Sequence, residues 1–380
     1  MDATLTTRDK ARVLAADFAA RAAVHDRDAS FPFANFQDLA NAGLLALTVP
    51  RERGGIGAGA REAADVLGTI AYGDSSTALV LAMHCIQHAS IARSPKWPSH
   101  LAYQLAKEAA ESVSLINALR VEPELGSPAR GGLPATIAKR TPEGWRITGL
   151  KIYSTGSPIL KWYLVWARTD EEPARVGSFL VPAGSAGARV VETWDHAGLR
   201  ASGSHDVYLD NVLVPLDHEI DVRTLDGWRG PDTAQLIVHS VFVAAIYDGV
   251  ARAARDWLIE FLKTRTPASL GAPLATLARA QEILGEIEVR LAINARLIRS
   301  ISSDHDSGQT VTSSEANAVK LTVTENAVLI TERALSLSGN HGLTRTNPLE
   351  RYHRDVLCGR VHTPQDDSIR VSAGRAALGI

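Results

Sequence analysis

Apolar residues recur at helical spacing through the first hundred positions. Ala11, Val13, Leu14, Phe18 and Ala22 form one series, and Phe36, Leu39, Ala42 and Leu44 a second that Gly43 ends. A further helix is expected over residues 63–71. Asp74 or Ser75 then suits the N-cap of the run 78–86, which is apolar on every side and so predicts a buried helix. From Ser112 to about Thr224 the pattern shortens to β-like segments at 113–116, 135–138, 145–148, 162–167, 177–181, 188–192 and 206–209. Turn residues separate them: Gly131-Gly132, Pro142-Glu-Gly144, Pro182-Ala-Gly184 and Asp210-Asn211. Strands so closely spaced predict a compact antiparallel barrel or sandwich. After Pro231 long helical patterns return, from 241 to 262, from 275 to 301 and from 314 to 337, the last capped by Ser313 or Ser314 with Glu315 in its first turn. The expected class is α+β, mainly α, in three parts: helical 1–111, β 112–228 and helical 229–380.

Composition narrows the field by exclusion. The chain has 380 residues, 45% hydrophobic and 22% charged, with a formal net charge of −2, which offers no electrostatic reason for a nucleic acid or an anionic membrane as partner. Cys85 and Cys358 stand far apart, without metal-ligand spacing, so neither a disulfide framework nor a metal site is expected. The first ten residues lack the basic-then-apolar order of a signal peptide, and no uninterrupted apolar run reaches the ~18 residues a membrane span needs. A cytoplasmic protein is expected.

Two glycine-rich stretches invite a ligand. Gly55-Ile-Gly57-Ala-Gly59, with Asp74 downstream, has to be weighed as a dinucleotide loop, but Pro50-Arg-Glu-Arg53 separates it from any strand end and its glycine spacing is wrong. The second is Ser338-Gly339-Asn340-His341-Gly342 after a helix ending near Leu335, followed by Arg354-Asp355. Taken alone it is a glycine C-cap and a loop.

In its setting it resembles more. Ala42-Gly43-Leu44 with Val49-Pro50 and Gly54-Gly55, Val121-Glu122-Pro123-Glu-Leu-Gly126-Ser127, Gly149-Leu-Lys151-Ile-Tyr153-Ser154-Thr155-Gly156, Leu199-Arg200-Ala-Ser202-Gly203-Ser204, Asp210-Asn211-Val-Leu-Val214-Pro215 and the glycine turn with Arg354-Asp355 occur in one order. That order, across nearly the whole chain, resembles the acyl-CoA dehydrogenase superfamily of flavoproteins. The resemblance implies a four-helix-bundle-like C-terminal domain and a homotetramer. It also implies flavin contacts by Ser127, Tyr153, Ser154 and Thr155, and pyrophosphate contacts by Arg265 and by Gly339, Asn340 and Gly342 of a neighbouring subunit. The arginine expected just before Leu270-Gly271 is replaced around Pro267, although Arg265 is near, so FAD is expected with FMN or reduced flavin as alternatives.

The same resemblance exposes a gap. A dehydrogenase of this kind takes a proton from the carbon beside a thioester while hydride leaves for flavin N5, and so needs a base, usually glutamate. Counting from Arg354-Asp355, His362 stands in the place of a tyrosine and Thr363 in that of the glutamate; the alternative site on the first C-terminal helix holds His239. Two reactions are therefore expected. The first is dehydrogenation of an acyl thioester, with His239, His362 or a nearby carboxylate (Asp366, Asp367) as base and an electron-transfer flavoprotein as acceptor. The alternative is that of the family's two-component monooxygenases, which take reduced flavin from a reductase and oxygenate an aromatic or sulfur-containing substrate, using His362 and a histidine near His84. A catalytically inactive flavin-binding member is the remaining option.

Overall fold

The computed structural model describes residues 5–125, 133–227 and 232–380. Helices α1 (Thr7–Asp28), α2 (Phe33–Asn41), α3 (Ala60–Gly73), α4 (Ser75–Arg93) and α5 (Ser99–Glu111) come first. Asp74 caps α4 as expected, its carboxylate accepting from the Ser76 and Thr77 amides. With no polar face, α4 is buried along most of its length.

The middle segment is one eight-stranded sheet: β1 (Leu115–Leu119), β2 (Ile137–Thr141), β3 (Gly144–Ser154), β4 (Leu160–Thr169), β5 (Arg175–Pro182), β6 (Ala188–Val191), β7 (His205–Val214) and β8 (Glu219–Thr224). Its order is β6-β7-β3-β2-β4-β5-β8, with β1 beside β4. Most neighbours are antiparallel, but β1 and β2 run parallel to β4, a departure from the purely antiparallel expectation. The reason is connectivity: β1 arrives from α5 rather than through a hairpin, so nothing forces it to reverse against β4. Strand β8 escaped the hydrophobic pattern because Glu219, Asp221 and Arg223 alternate with only one fully buried apolar residue, Ile220, as suits an edge strand.

Helices α6 (Thr233–Thr264), α7 (Ala278–Asp306) and α8 (Ser313–Ser338) form the C-terminal bundle, followed by α9 (Asn340–Leu343), α10 (Leu349–Leu357) and α11 (Asp366–Leu378). The cap of α8 is Thr312, one residue earlier than expected, in a reciprocal capping box with Glu315. Helix α6 packs on α8 and also on α3 from the other end of the chain. Two glycines permit that contact, since a Cβ on Gly249 would overlap the Gly68 carbonyl. By length and composition α6 could cross a membrane, yet 78% of its apolar window is buried in the protein. One continuous apolar core runs through all three segments.

Candidate active site

The end of β3 breaks the regularity of its strand. A register shift between Lys151 and Ser154 leaves Tyr153 at φ 55°, a region that side chains other than glycine rarely enter. The simple alternation expected for Tyr153, Ser154 and Thr155 is lost with it. Tyr153 turns its ring outward, 54% exposed, edge-on to Trp194 and His196, which stack on each other at 3.6 Å. Ser154 turns in, and its Oγ is buried without a hydrogen-bond partner. Thr155 lies just past the strand, where its hydroxyl meets Ser204 Oγ at 2.9 Å, which in turn meets Ser202 Oγ at 2.8 Å. Asn117 joins this group to β1 by donating to the Thr155 carbonyl at 3.0 Å. An exposed aromatic ring held in a strained backbone, beside hydroxyls and one orphaned Oγ, fits a flat heteroaromatic group with polar edges.

The imidazoles behave differently from one another. The ring of His84 is fully engaged: Nε2–H donates to the Leu45 carbonyl at 2.9 Å and Nδ1 accepts the Ile116 N–H at 3.1 Å. Burial lowers its pKa to about 4. With both nitrogens taken by backbone, His84 ties α4 to β1 and has none left for a substrate, which corrects its place among the catalytic candidates. His88, one turn on and not singled out from the sequence, packs edge-on against it at 4.5 Å.

His362 and His239 share one electrostatic neighbourhood. Burial, then His239 and Lys320, lower His362 to about 3; burial, then Lys320 and Arg120, lower His239 to about 4. Both rings are neutral at pH 7. Nδ1 of His362 lies 2.8 Å from the Tyr247 hydroxyl, whose pKa burial holds well above its ordinary value. Lys320 of α8 fixes the loop that carries His362, donating to the Gly359 carbonyl at 2.8 Å, the Pro364 carbonyl at 3.1 Å and Asp366 Oδ1 at 3.0 Å. Asp366 is thus spent on Lys320 rather than free as a base, and Thr363 is exposed. Lys320 and Arg120 were missed from sequence. Neither carries a clear signal, since α8 holds several other polar residues and Arg120 lies just past the end of β1.

The remaining expected contacts fall elsewhere. Arg265, at the end of α6, and Gly339 and Asn340 are exposed, and the Phe261–His341 ring contact at 5.3 Å brings these two stretches to one end of the bundle. Gly342 is buried, with no room for a Cβ against Ser338 Oγ, and the expected turn contains the single helical turn α9. Ser127 lies outside the described residues. Arg354 and Asp355 hold the segments together. Arg354 binds Asp26 and Glu350, while Asp355 accepts from Ser75 Oγ at 2.6 Å and from the Leu199 amide at 2.7 Å.

An exposed aromatic ring and hydroxyls at a bulged strand end, beside a helical bundle that carries the half-buried imidazoles of His239 and His362, suit a flavin-dependent oxidoreductase. The chain belongs to the acyl-CoA dehydrogenase family. It matches the family models described as acyl-CoA dehydrogenase, N-terminal domain, over residues 2–94, middle domain over 120–212, and C-terminal domain over 226–364. It is 34% identical to "Putative acyl-CoA dehydrogenase YdbM" of Bacillus subtilis (strain 168), covering 94% of this chain and 92% of that protein. It is 28% identical to L-evernosamine nitrososynthase of a Micromonospora species, over 95% of this chain and 87% of the relative. Among solved structures, KijD3 in complex with FMN and dTDP-3-amino-2,3,6-trideoxy-4-keto-3-methyl-D-glucose superposes with a TM-score of 0.84 at 27% identity, covering 98% of this chain and 94% of that one.

Proposed function

We propose that this protein is a flavin-dependent oxygenase that receives reduced flavin from a separate reductase and oxidises a small organic substrate, rather than an acyl-CoA dehydrogenase. The observation that carries this reading is the absence, among the described residues around His239 and His362, of any carboxylate free to act as a base. Asp366 is bound to Lys320, and Asp355 is enclosed by Ser75 and Leu199. Imidazoles lowered to about 4 and about 3 are weak bases for a carbon acid, some hundreds to a few thousand times weaker than an ordinary histidine. As neutral donors they are well suited to stabilising negative charge that develops on oxygen. The cations Lys320 and Arg120, both felt at His239, favour the same charge.

Bound reduced flavin would supply the activation of dioxygen. Tyr153, Ser154 and Thr155 would hold it, with the orphaned Ser154 Oγ gaining a partner. Tyr247, donating to Nδ1, would leave the proton of His362 on Nε2 and so keep that nitrogen a donor. The exposed Arg265 and the glycine turn, brought to one end of the bundle by the Phe261–His341 contact, suit completion of the site by a second copy of the chain. The nitrososynthase relatives, whose name denotes oxidation at nitrogen, and the FMN held by KijD3 support oxygenation and FMN over dehydrogenation and FAD.

The test is an anaerobic titration of flavin-loaded protein with short acyl-CoAs. No bleaching is expected, whereas chemically reduced FMN should bind and be reoxidised by oxygen at a rate that the protein alters. Bleaching by an acyl-CoA returns the protein to dehydrogenation, with His362 the first candidate for the base.

A further inference from the structure

A cavity of about 630 Å³ opens between the C-terminal end of α4, the sheet and the first turn of α6. None of Tyr153, Ser154, Thr155, His239 and His362 lines it. Arg93, Lys96, Arg120 and Arg223 line it together with the carboxylates Asp221 and Asp232. Arg223 is bound by Asp221 at 2.5 Å, and Arg93 faces Asp232 at 4.0 Å. Lys96 is exposed to solvent. Arg120 is the cation left over. Its guanidinium lies over the Trp166 ring, 4.9 Å from the centroid, and meets no carboxylate among the described residues.

The placement of Arg120 is built into the sheet. Trp166 is fixed by its pairing with Ser178, and its carbonyl accepts from the buried Lys151, which is itself paired with Glu122 at 2.5 Å. Burial lowers Arg120 to about 10, so it stays charged at neutral pH. Arg120 is half-buried on the cavity wall, where a guanidinium without an anion is costly and presents a planar fork matched to a carboxylate. Gln235, on the wall of the cavity, lies one helical turn before His239, so one face of α6 leads from the cavity to the imidazoles. Trp97, Leu164 and Ile220 line the same space and can receive an apolar body.

We propose that Arg120, on its Trp166 platform, is a specificity-determining residue that binds the carboxylate of a small, largely apolar substrate and so orients the rest of that molecule toward His239 and His362. Asp221 and Asp232 on the wall disfavour a polyanion such as a diphosphate, for which one free guanidinium gives too little compensation. The inference deepens the oxygenase reading by naming a substrate class, and it is tested without turnover.

The experiment measures binding of sodium benzoate and phenylacetate, with benzamide and phenylacetamide as neutral counterparts, to flavin-free full-length protein by calorimetry or ligand-observed NMR. The carboxylates should bind about tenfold or more tightly than the amides. Arg120→Gln should erase that preference, and Arg120→Lys should keep part of it. Thermal melting of each variant reports folding. Equal binding of acids and amides overturns the proposal, as does a preference that survives in folded Arg120→Gln or vanishes entirely in folded Arg120→Lys. FMN affinity is measured separately by fluorescence quenching: failure to bind FMN removes the flavin slot, while the carboxylate preference is still read on the same sample.

Discussion

The Tyr247 hydroxyl lies 2.8 Å from Nδ1 of His362, joining the middle of α6 to the loop after α10. Tyr247 is buried and His362 half-buried, and both are uncharged at neutral pH, so the contact sets which nitrogen of His362 carries the proton. Tyr247→Phe should keep the fold and the flavin affinity and lower turnover by about tenfold, because the ring then samples both tautomers and more than one orientation. Unchanged turnover in a folded, flavin-binding variant would remove the tautomer argument.

His362 itself should matter more. His362→Ala is expected to lower turnover at least about a hundredfold, the usual scale for a group that handles a proton in the transition state. Flavin affinity, followed by quenching, should change little. His84→Gln should leave turnover within a few-fold, since His84 faces backbone on both sides.

The histidines also shape the dependence of stability on pH. His84, His239 and His362 are depressed to about 4, about 4 and about 3, well below the 6.5 of an ordinary histidine. In the unfolded chain they take up protons below about pH 6.5, while the folded protein does not until about pH 4. The unfolded state therefore binds more protons in that window. The stability they contribute is complete above 6.5 and is lost as pH falls. Asp355, raised by burial to about 6, acts with the opposite sign and loses its contribution as pH rises through that value. Urea midpoints for the native protein and His84→Gln at pH 4.5–7 separate the two. Below about pH 6 the variant's slope should be shallower by about 1.4 kcal/mol per pH unit, and parallel curves would show that His84 takes up its proton as readily in the folded protein as in the unfolded chain.

Tyr153→Gly offers readouts that diverge. Glycine accepts φ 55° without strain, so losing an exposed aromatic should cost less than about 1 kcal/mol in the flavin-free protein. Flavin affinity should fall about tenfold or more. Equal affinities would place the flavin elsewhere.

Much of this was legible in the sequence, for a physical reason. The order of helical and strand segments is written in periodicity, and 162–167 or 78–86 could hardly be read otherwise. The parallel placement of β1 and β2 against β4 depends on where the chain enters the sheet, which periodicity does not encode. The sequence places Tyr153, Ser154 and Thr155 at a strand end, but it does not encode the bulge that turns Tyr153 outward, because that arises from register with β7. His84 had the sequence context of a catalytic residue, and only the carbonyl of Leu45 and the amide of Ile116 reveal it as a structural tie. Arg120 and Lys320 gain their meaning from what lies across from them in space: an aromatic face with no anion in one case, and a loop with acceptors in need of a donor in the other.

Lys320 gives a further prediction. Lys320→Met would leave Asp366 and the carbonyls of Gly359 and Pro364 without their buried donor, at a cost of about 3–5 kcal/mol. Turnover at low temperature should fall along with stability, because the loop bearing His362 loses its anchor. A stable variant with full activity would show that the loop is held by other contacts.

Asp355 sits where all three segments meet, taking one hydrogen from Ser75 of the first and one from Leu199 of the second while belonging to the third. The three parts are therefore poor candidates for exchange between relatives. A chimera that takes its C-terminal helices from one parent and its sheet from another inherits half of a junction at which a carboxylate is already enclosed. Recombination breakpoints between α4, the 199 turn and α10 should be tolerated only when these partners travel together, so that in laboratory evolution this protein is inherited as a single unit.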